Sequence, residues 1–77
     1  MTNSALLEQY IDKSGLKKSH IAGMMGLSRV SLSNKINGRC DFWAGEISRL
    51  CEILAIRDAK TRDAIFFARQ VAKSATE

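Results

Sequence analysis

Residues 18–37 read KSHIAGMMGLSRVSLSNKIN, and their small and apolar residues are spaced as in two short helices joined by a tight turn. Ala22 is small at the point where two such helices would cross closely. Gly26 can adopt a positive φ and end the first helix, and Ser28 can cap a second helix that runs to about Ile36. A helix-turn-helix unit is therefore predicted here.

The second of these helices is predicted to have an apolar inner side and a polar outer side. Leu32 and Ile36 lie four residues apart, so both can face inward and hold the helix on its neighbour. The residues left pointing outward are Arg29, Val30, Ser33 and Asn34.

Helix start and stop signals predict about five helices over the whole chain. Their predicted spans are about 4–14, 18–25, 29–36, 43–54 and 58–75. Ser4 is the predicted cap of the first helix and Gly15 its stop, and Glu46 lies near the positive end of the fourth helix dipole. Together these signals predict one all-α domain over residues 1–77, a compact bundle whose last helix closes the core.

Composition agrees with a small folded domain. The chain has 77 residues, of which 45% are hydrophobic and 26% charged, with no proline. No apolar run approaches the roughly 20 residues needed to cross a bilayer, and the opening MTNSALLEQY lacks the order of a signal peptide. We therefore expect a cytoplasmic protein that does not associate with membranes.

Positive charge is concentrated in the first half. Residues 1–40 contain six Lys or Arg and two Asp or Glu, whereas residues 41–77 contain six of each, which gives the net charge of +4. A basic region concentrates phosphate by long-range attraction, so this asymmetry indicates a polyanionic partner for the first half. Solubilising charge alone is the simpler alternative, and the helix-turn-helix pattern argues against it.

Several functional classes lack the residues they need. Cys40 and Cys51, with the single His20, supply too few ligands for a structural zinc site, so both cysteines are interpreted as reduced thiols. No paired carboxylates, Ser/His/Asp set, Cys/His pair or phosphate loop is recognisable. The sequence therefore predicts a protein that is not an enzyme, with no metal, cofactor or small-molecule ligand.

The pattern of residues resembles the phage repressor and Cro class of helix-turn-helix regulators, an XRE-like family, and especially the small regulators of Gram-positive phages and prophages. The resemblance extends without a gap from about Leu6 to Ile56. It is carried by GL at 15–16, the Ile21-Ala22 pair, GLSR at 26–29, SLS at 31–33, NGR at 37–39 and EISRLCEIL at 46–54. Lys35 departs from the pattern, because an apolar residue is common at its position.

The resemblance implies a transcriptional regulator whose third helix enters the major groove of double-stranded DNA. The implied base contacts are Arg29, Val30, Ser33 and Asn34. Arginine can bond guanine bidentately, asparagine can bond adenine, and a valine methyl can contact the thymine methyl; each good bidentate pair contributes about 1–3 kcal/mol of discrimination. The implied contacts to the DNA backbone are Lys17, Lys18, Ser28, Ser31, Lys35, Asn37 and Arg39.

Regulators of this class act on pseudo-palindromic operators, so a homodimer is expected at least on DNA. Phe67 adds a second apolar face to the fifth helix, which leaves open whether that helix self-associates or only closes the core. A protein-binding antirepressor or antitoxin-like module, which would hold another regulator through the fifth helix and Trp43, is the alternative function. Trp43 itself is expected to pack, Met24 and Met25 to fill the core, and His20 to have no role.

Overall fold

Five α-helices form the regular structure of residues 2–67, which is the part of the chain that the computed structural model describes. They are α1 (Ser4–Ser14), α2 (Lys18–Met25), α3 (Arg29–Ile36), α4 (Ala44–Ile53) and α5 (Ala59–Phe66). Residues 2–67 contain no strand, so the prediction of an all-α bundle with five helices is confirmed. The predicted continuation of the fifth helix to residue 75, with Ala68, Val71 and Ala72, lies outside the described residues.

Local capping chemistry sets most of the helix boundaries. Gly15 and Gly26 both adopt the left-handed conformation, with φ of 74° and 71°, and each ends a helix as predicted. The Ser28 hydroxyl accepts a hydrogen bond from the Ser31 N–H at 3.0 Å and begins α3. The Asp58 carboxylate accepts one from the Thr61 N–H at 2.8 Å and begins α5.

The cap of α1 differs from the prediction. Asn3, not Ser4, precedes the helix, and its side-chain oxygen accepts a hydrogen bond from the Leu6 N–H at 3.1 Å. Ser4 is instead the first helical residue, and its hydroxyl donates to the Ile36 carbonyl at 2.5 Å. A serine hydroxyl can either cap its own helix or donate to a carbonyl elsewhere, and here it donates to the Ile36 carbonyl at the end of α3.

One apolar core joins all five helices. Its fully buried side chains are Leu7, Ile21, Leu32, Ile36, Leu50 and Ile65. The most extensive helix packing is between α2 and α3, where the small Ala22 is buried in the same core. Phe42, from the loop before α4, meets Phe66 of α5 edge to face, with ring centroids 5.3 Å apart. The Asn3 N–H donates to the Ile65 carbonyl at 2.6 Å, which ties the start of α1 to α5.

Candidate nucleic-acid interface

The outer side of α3 is an exposed helix face that carries both polar and apolar side chains. Leu32 and Ile36 are almost completely buried, which fixes the rotation of the helix about its axis. Arg29, Val30 and Ser33 are then exposed, and Val30 keeps 69% of its surface accessible. Most of the Val30 side chain is therefore accessible, so its methyl groups can contact a partner.

Asn34 lies at the edge of this face and is half-buried. Its backbone carbonyl accepts hydrogen bonds from the backbone N–H groups of Arg39 and Cys40, at 2.9 and 3.4 Å. These bonds hold the following loop against the end of α3. Asn37 instead extends the exposed face, because its side-chain amide lies 3.5 Å from the Ser33 hydroxyl. Asn37 is predicted as a contact to the DNA backbone, and its spacing of four residues from Ser33 is typical of two residues on one helix face.

A basic groove lies beside the start of α3. Lys17, Lys18, Ser19 and Arg29 line it together with Asp12. Lys17 precedes α2 without capping it through its side chain, so the first N–H groups of that helix have no side-chain acceptor among residues 2–67. The positive end of a helix dipole next to two lysines is locally unfavourable, and an anion in the groove would relieve it.

Four of the five predicted basic contacts lie near the α2–α3 pair and differ in whether their charges are already paired. Lys18 is paired with Glu8 of α1, with Nζ 2.9 Å from the carboxylate, and both side chains remain partly exposed. Lys17, Arg29 and Arg39 make no hydrogen bond or ion pair through their side chains with any residue in the range 2–67. These three are therefore the basic groups best placed to meet a phosphate or a base.

Lys35 differs from the other predicted contacts because its ammonium group is largely buried and paired within the protein. Its Nζ lies 3.0 Å from Glu46 Oε1 and 3.1 Å from the Asp41 carbonyl, and only 12% of its side chain is exposed. The ammonium group is therefore occupied within the protein, where it joins the end of α3 to the start of α4. The resemblance implies an apolar residue at this position, whereas Lys35 makes an internal ion pair there. The sequence could not show this pair, because Lys35 and Glu46 are eleven residues apart.

Glu46 completes this arrangement at the start of α4. Its carboxylate accepts from the Trp43 N–H at 2.9 Å as well as from Lys35. Burial works against the charged form, but the hydrogen bonds from Trp43 and Lys35 and the charge of Lys35 outweigh it, so the pKa of Glu46 lies below its ordinary value. The ion pair therefore persists at neutral pH.

Both serines that are predicted to contact the DNA backbone take part in the turn before α3. The Ser28 hydroxyl donates to the Ser31 hydroxyl at 2.9 Å while it accepts from the Ser31 N–H. Ser28 is exposed and Ser31 is half-buried. These hydroxyls first of all stabilise the turn that presents Arg29, and they lie at the same end of α3 as the basic groove.

Two features of the surface were not predicted. Trp43 is 75% exposed, which corrects the expectation that it packs against the loop and α4. It precedes α4 as the N-cap, so its neighbour Phe42 takes the buried position instead. Arg49 of α4 donates to the Met24 carbonyl through Nε and Nη2, at 3.4 and 3.5 Å, and so supports the end of α2. Met24 is exposed, whereas Met25 packs partly against the core.

Comparisons with known proteins gave no match among family models, curated proteins or solved structures. No helix within residues 2–67 is long and apolar enough to span a membrane. The same residues contain no group of three or more His, Cys, Asp or Glu side chains arranged to hold a metal ion.

Proposed function

We propose that this chain binds double-stranded DNA sequence-specifically as a helix-turn-helix transcriptional regulator of the phage or prophage type, acting in the cytoplasm. The observation that carries the proposal is the uncovered outer face of α3. Arg29, Val30 and Ser33 point away from the core, while Leu32 and Ile36 hold the helix rigidly from beneath. A convex helix with this mixture of groups has the size and the chemistry to fit the major groove.

The surroundings of α3 support the same proposal. Lys17 and the uncapped N–H groups at the start of α2 can bind one phosphate, and Arg39, in the loop after α3, can bind another. Because neither charge is neutralised within residues 2–67, both can displace counterions from DNA. Ser28, Ser31 and Lys18 lie in the same region as further backbone contacts, whereas Lys35 acts on DNA only through the position of α3.

The test is selection of bound sequences from a random duplex library, followed by sequencing, for the wild type and for Arg29→Ala. We expect one enriched motif for the wild type, with affinity falling steeply as salt rises. Arg29→Ala should relax the preference at one base pair and cost about 1–3 kcal/mol at that position. Arg57→Ala, which removes an exposed arginine from the loop before α5, is the matched control and should keep the motif. A flat salt response without an enriched motif refutes the proposal.

A protein-binding antirepressor or antitoxin-like module is the second candidate, and the exposure of two large side chains favours it. Trp43 is 75% and Phe67 is 51% exposed, and both lie outside α3. Capture of another regulator that fails with Phe67→Glu but survives Arg29→Ala would support this function. The reverse pattern on DNA, with a relaxed base preference for Arg29→Ala and retained half-site binding for Phe67→Glu, supports the first.

A further inference from the structure

We infer that Glu8 of α1 competes with DNA phosphate for Lys18, and so limits how tightly the basic groove binds DNA. The internal pair is direct, since both carboxylate oxygens of Glu8 lie 2.9 Å from Lys18 Nζ. Lys18 is the first residue of α2 and lines the groove beside Lys17 and Arg29. A carboxylate and a phosphate both offer charged oxygens to a cation, so the two anions compete for one ammonium group.

The start of α2 favours an anion beside Lys18. The first turn of α2 contains no acidic residue, and Lys17, which precedes it, makes no side-chain hydrogen bond to the helix. Two lysines at the positive end of a helix dipole are unfavourable there, and a nearby anion offsets this effect. Glu8, which reaches Lys18 from α1, supplies that anion in the free protein. A phosphate in the groove can supply it instead.

Asp12 adds a second carboxylate on the same side of α1. It lies four residues after Glu8, so the two share one helix face, and it lines the groove together with Lys17, Lys18 and Arg29. Glu8 and Asp12 are the only acidic residues among residues 1–40. A phosphate held by Lys18 would lie within the screening length of about 8–10 Å from Glu8, so repulsion between the two anions persists at ordinary salt concentrations.

The pair between Glu8 and Lys18 can open at little cost. Each side chain keeps 37% of its surface exposed, and exposed ion pairs contribute little to stability. Lys35 differs in this respect, because it is more deeply buried and also donates to the Asp41 carbonyl. We therefore expect Lys18 to change partner on DNA and Lys35 to keep its own. This role of Glu8 rests on the proposed function, because DNA brings the competing phosphate.

The experiment is titration of the wild type and Glu8→Gln against two duplexes, one with the selected motif and one of unrelated sequence, at several salt concentrations. We expect Glu8→Gln to bind both duplexes about three- to tenfold more tightly at low salt, because no internal anion has to be displaced. Affinity should also fall more steeply with salt. Glu52→Gln is the matched control and should leave affinity nearly unchanged, since Glu52 reaches Arg49 at 3.7 Å and does not line the groove.

A double variant tests whether Lys18 is the group for which Glu8 competes. In a Lys18→Ala background the gain from Glu8→Gln should fall by about half or more, because only the repulsion of phosphate is then relieved. An equal gain with and without Lys18 would mean that Glu8 acts through long-range charge alone, which overturns the inference. Thermal unfolding of each free variant identifies a purely structural role, since loss of such a role lowers stability without raising affinity for DNA.

The remaining outcomes separate this inference from the proposed function. Weaker DNA binding by Glu8→Gln would mean that Glu8 orients Lys18 toward phosphate, and unchanged binding would mean that the pair does not affect DNA. Either result overturns the competition and leaves the proposed function standing. A wild type that binds neither duplex refutes the proposed function, and the competition with it.

Discussion

Lys35 is a single side chain that holds three segments of the protein together. Its ammonium group meets the Asp41 carbonyl and the Glu46 carboxylate, so the end of α3, the following loop and the first turn of α4 share one contact. Glu46 in turn accepts from the Trp43 N–H. The loop that presents Arg39 is thereby anchored to the same helix that presents Arg29.

This contact makes a prediction about stability in acid. Folding lowers the pKa of Glu46, so its stabilising effect is complete above its ordinary value of 4.5 and is lost as the pH falls through the lowered pKa. Replacement of Glu46 by Gln should cost roughly 1 kcal/mol at neutral pH and should make the midpoint of thermal unfolding less dependent on pH in acid. Thermal unfolding followed by circular dichroism, from neutral pH to about pH 3, measures both effects.

The control for this prediction is Glu52→Gln in the same helix. Glu52 is exposed and reaches Arg49 only at 3.7 Å, so its loss should change neither the stability nor its pH dependence appreciably. Asp58, whose pKa is lowered by hydrogen bonds from the Thr61 hydroxyl and N–H, titrates in every variant and cancels in the comparison. Parallel curves for the wild type and Glu46→Gln would contradict the prediction.

At the scale of the helix, the turn between α2 and α3 depends on one glycine, and a second glycine offers a matched comparison. Gly26 has a φ of 71°, whereas Gly23 lies inside α2, and an added Cβ would meet no atom within 4 Å at either position. Gly26→Ala should therefore destabilise by roughly 1–2 kcal/mol through backbone strain alone. Gly23→Ala should stabilise by about 0.5–1 kcal/mol, because alanine is the better helix former. Urea unfolding gives both values, and changes of the same sign would disprove the explanation.

The helices were predictable because their boundaries depend on neighbouring residues. Gly15, Gly26, Ser28 and Asp58 all act within a few residues of the helix end that each determines. The cap of α1 was not predictable, because the Ser4 hydroxyl is drawn to the Ile36 carbonyl, which is distant in sequence and close only after folding.

In the candidate site, too, the features that depend on nearby residues were predictable and those that depend on distant residues were not. Two buried anchors, Leu32 and Ile36, were enough to predict which residues of α3 face outward. The half-burial of Asn34 and the internal pairing of Lys35 depend on the loop and α4, which the pattern of α3 does not contain. Exposure of Trp43 was likewise unpredictable, since either aromatic of the pair at 42–43 could have entered the core.

At the scale of the whole molecule, the excess positive charge belongs to residues 1–40, and five of their six basic residues lie in α2, in α3 or in the loops next to them. Only some of these charges are available, so equal replacements should have unequal effects on DNA binding. Lys17→Ala should reduce the dependence of log affinity on log salt by about one phosphate contact. Lys35→Met should leave that dependence nearly unchanged while lowering thermal stability, because its ammonium is held by Glu46 and Asp41.

Titration of both variants against one duplex at several salt concentrations makes the comparison. A double variant should show the reduced salt dependence of Lys17→Ala and the reduced stability of Lys35→Met, since the two side chains act separately. A reduction in salt dependence for Lys35→Met equal to that for Lys17→Ala would mean that the ion pair with Glu46 opens on DNA.

The contact between Asn3 and Ile65 has a practical consequence for how the protein is prepared. It places the start of the described chain against α5, and Thr2 borders the same hollow as Phe67. An affinity tag fused ahead of Thr2 would emerge beside that aromatic ring and obstruct a protein that binds there. Recombinant protein for protein-binding measurements should therefore have such a tag cleaved off.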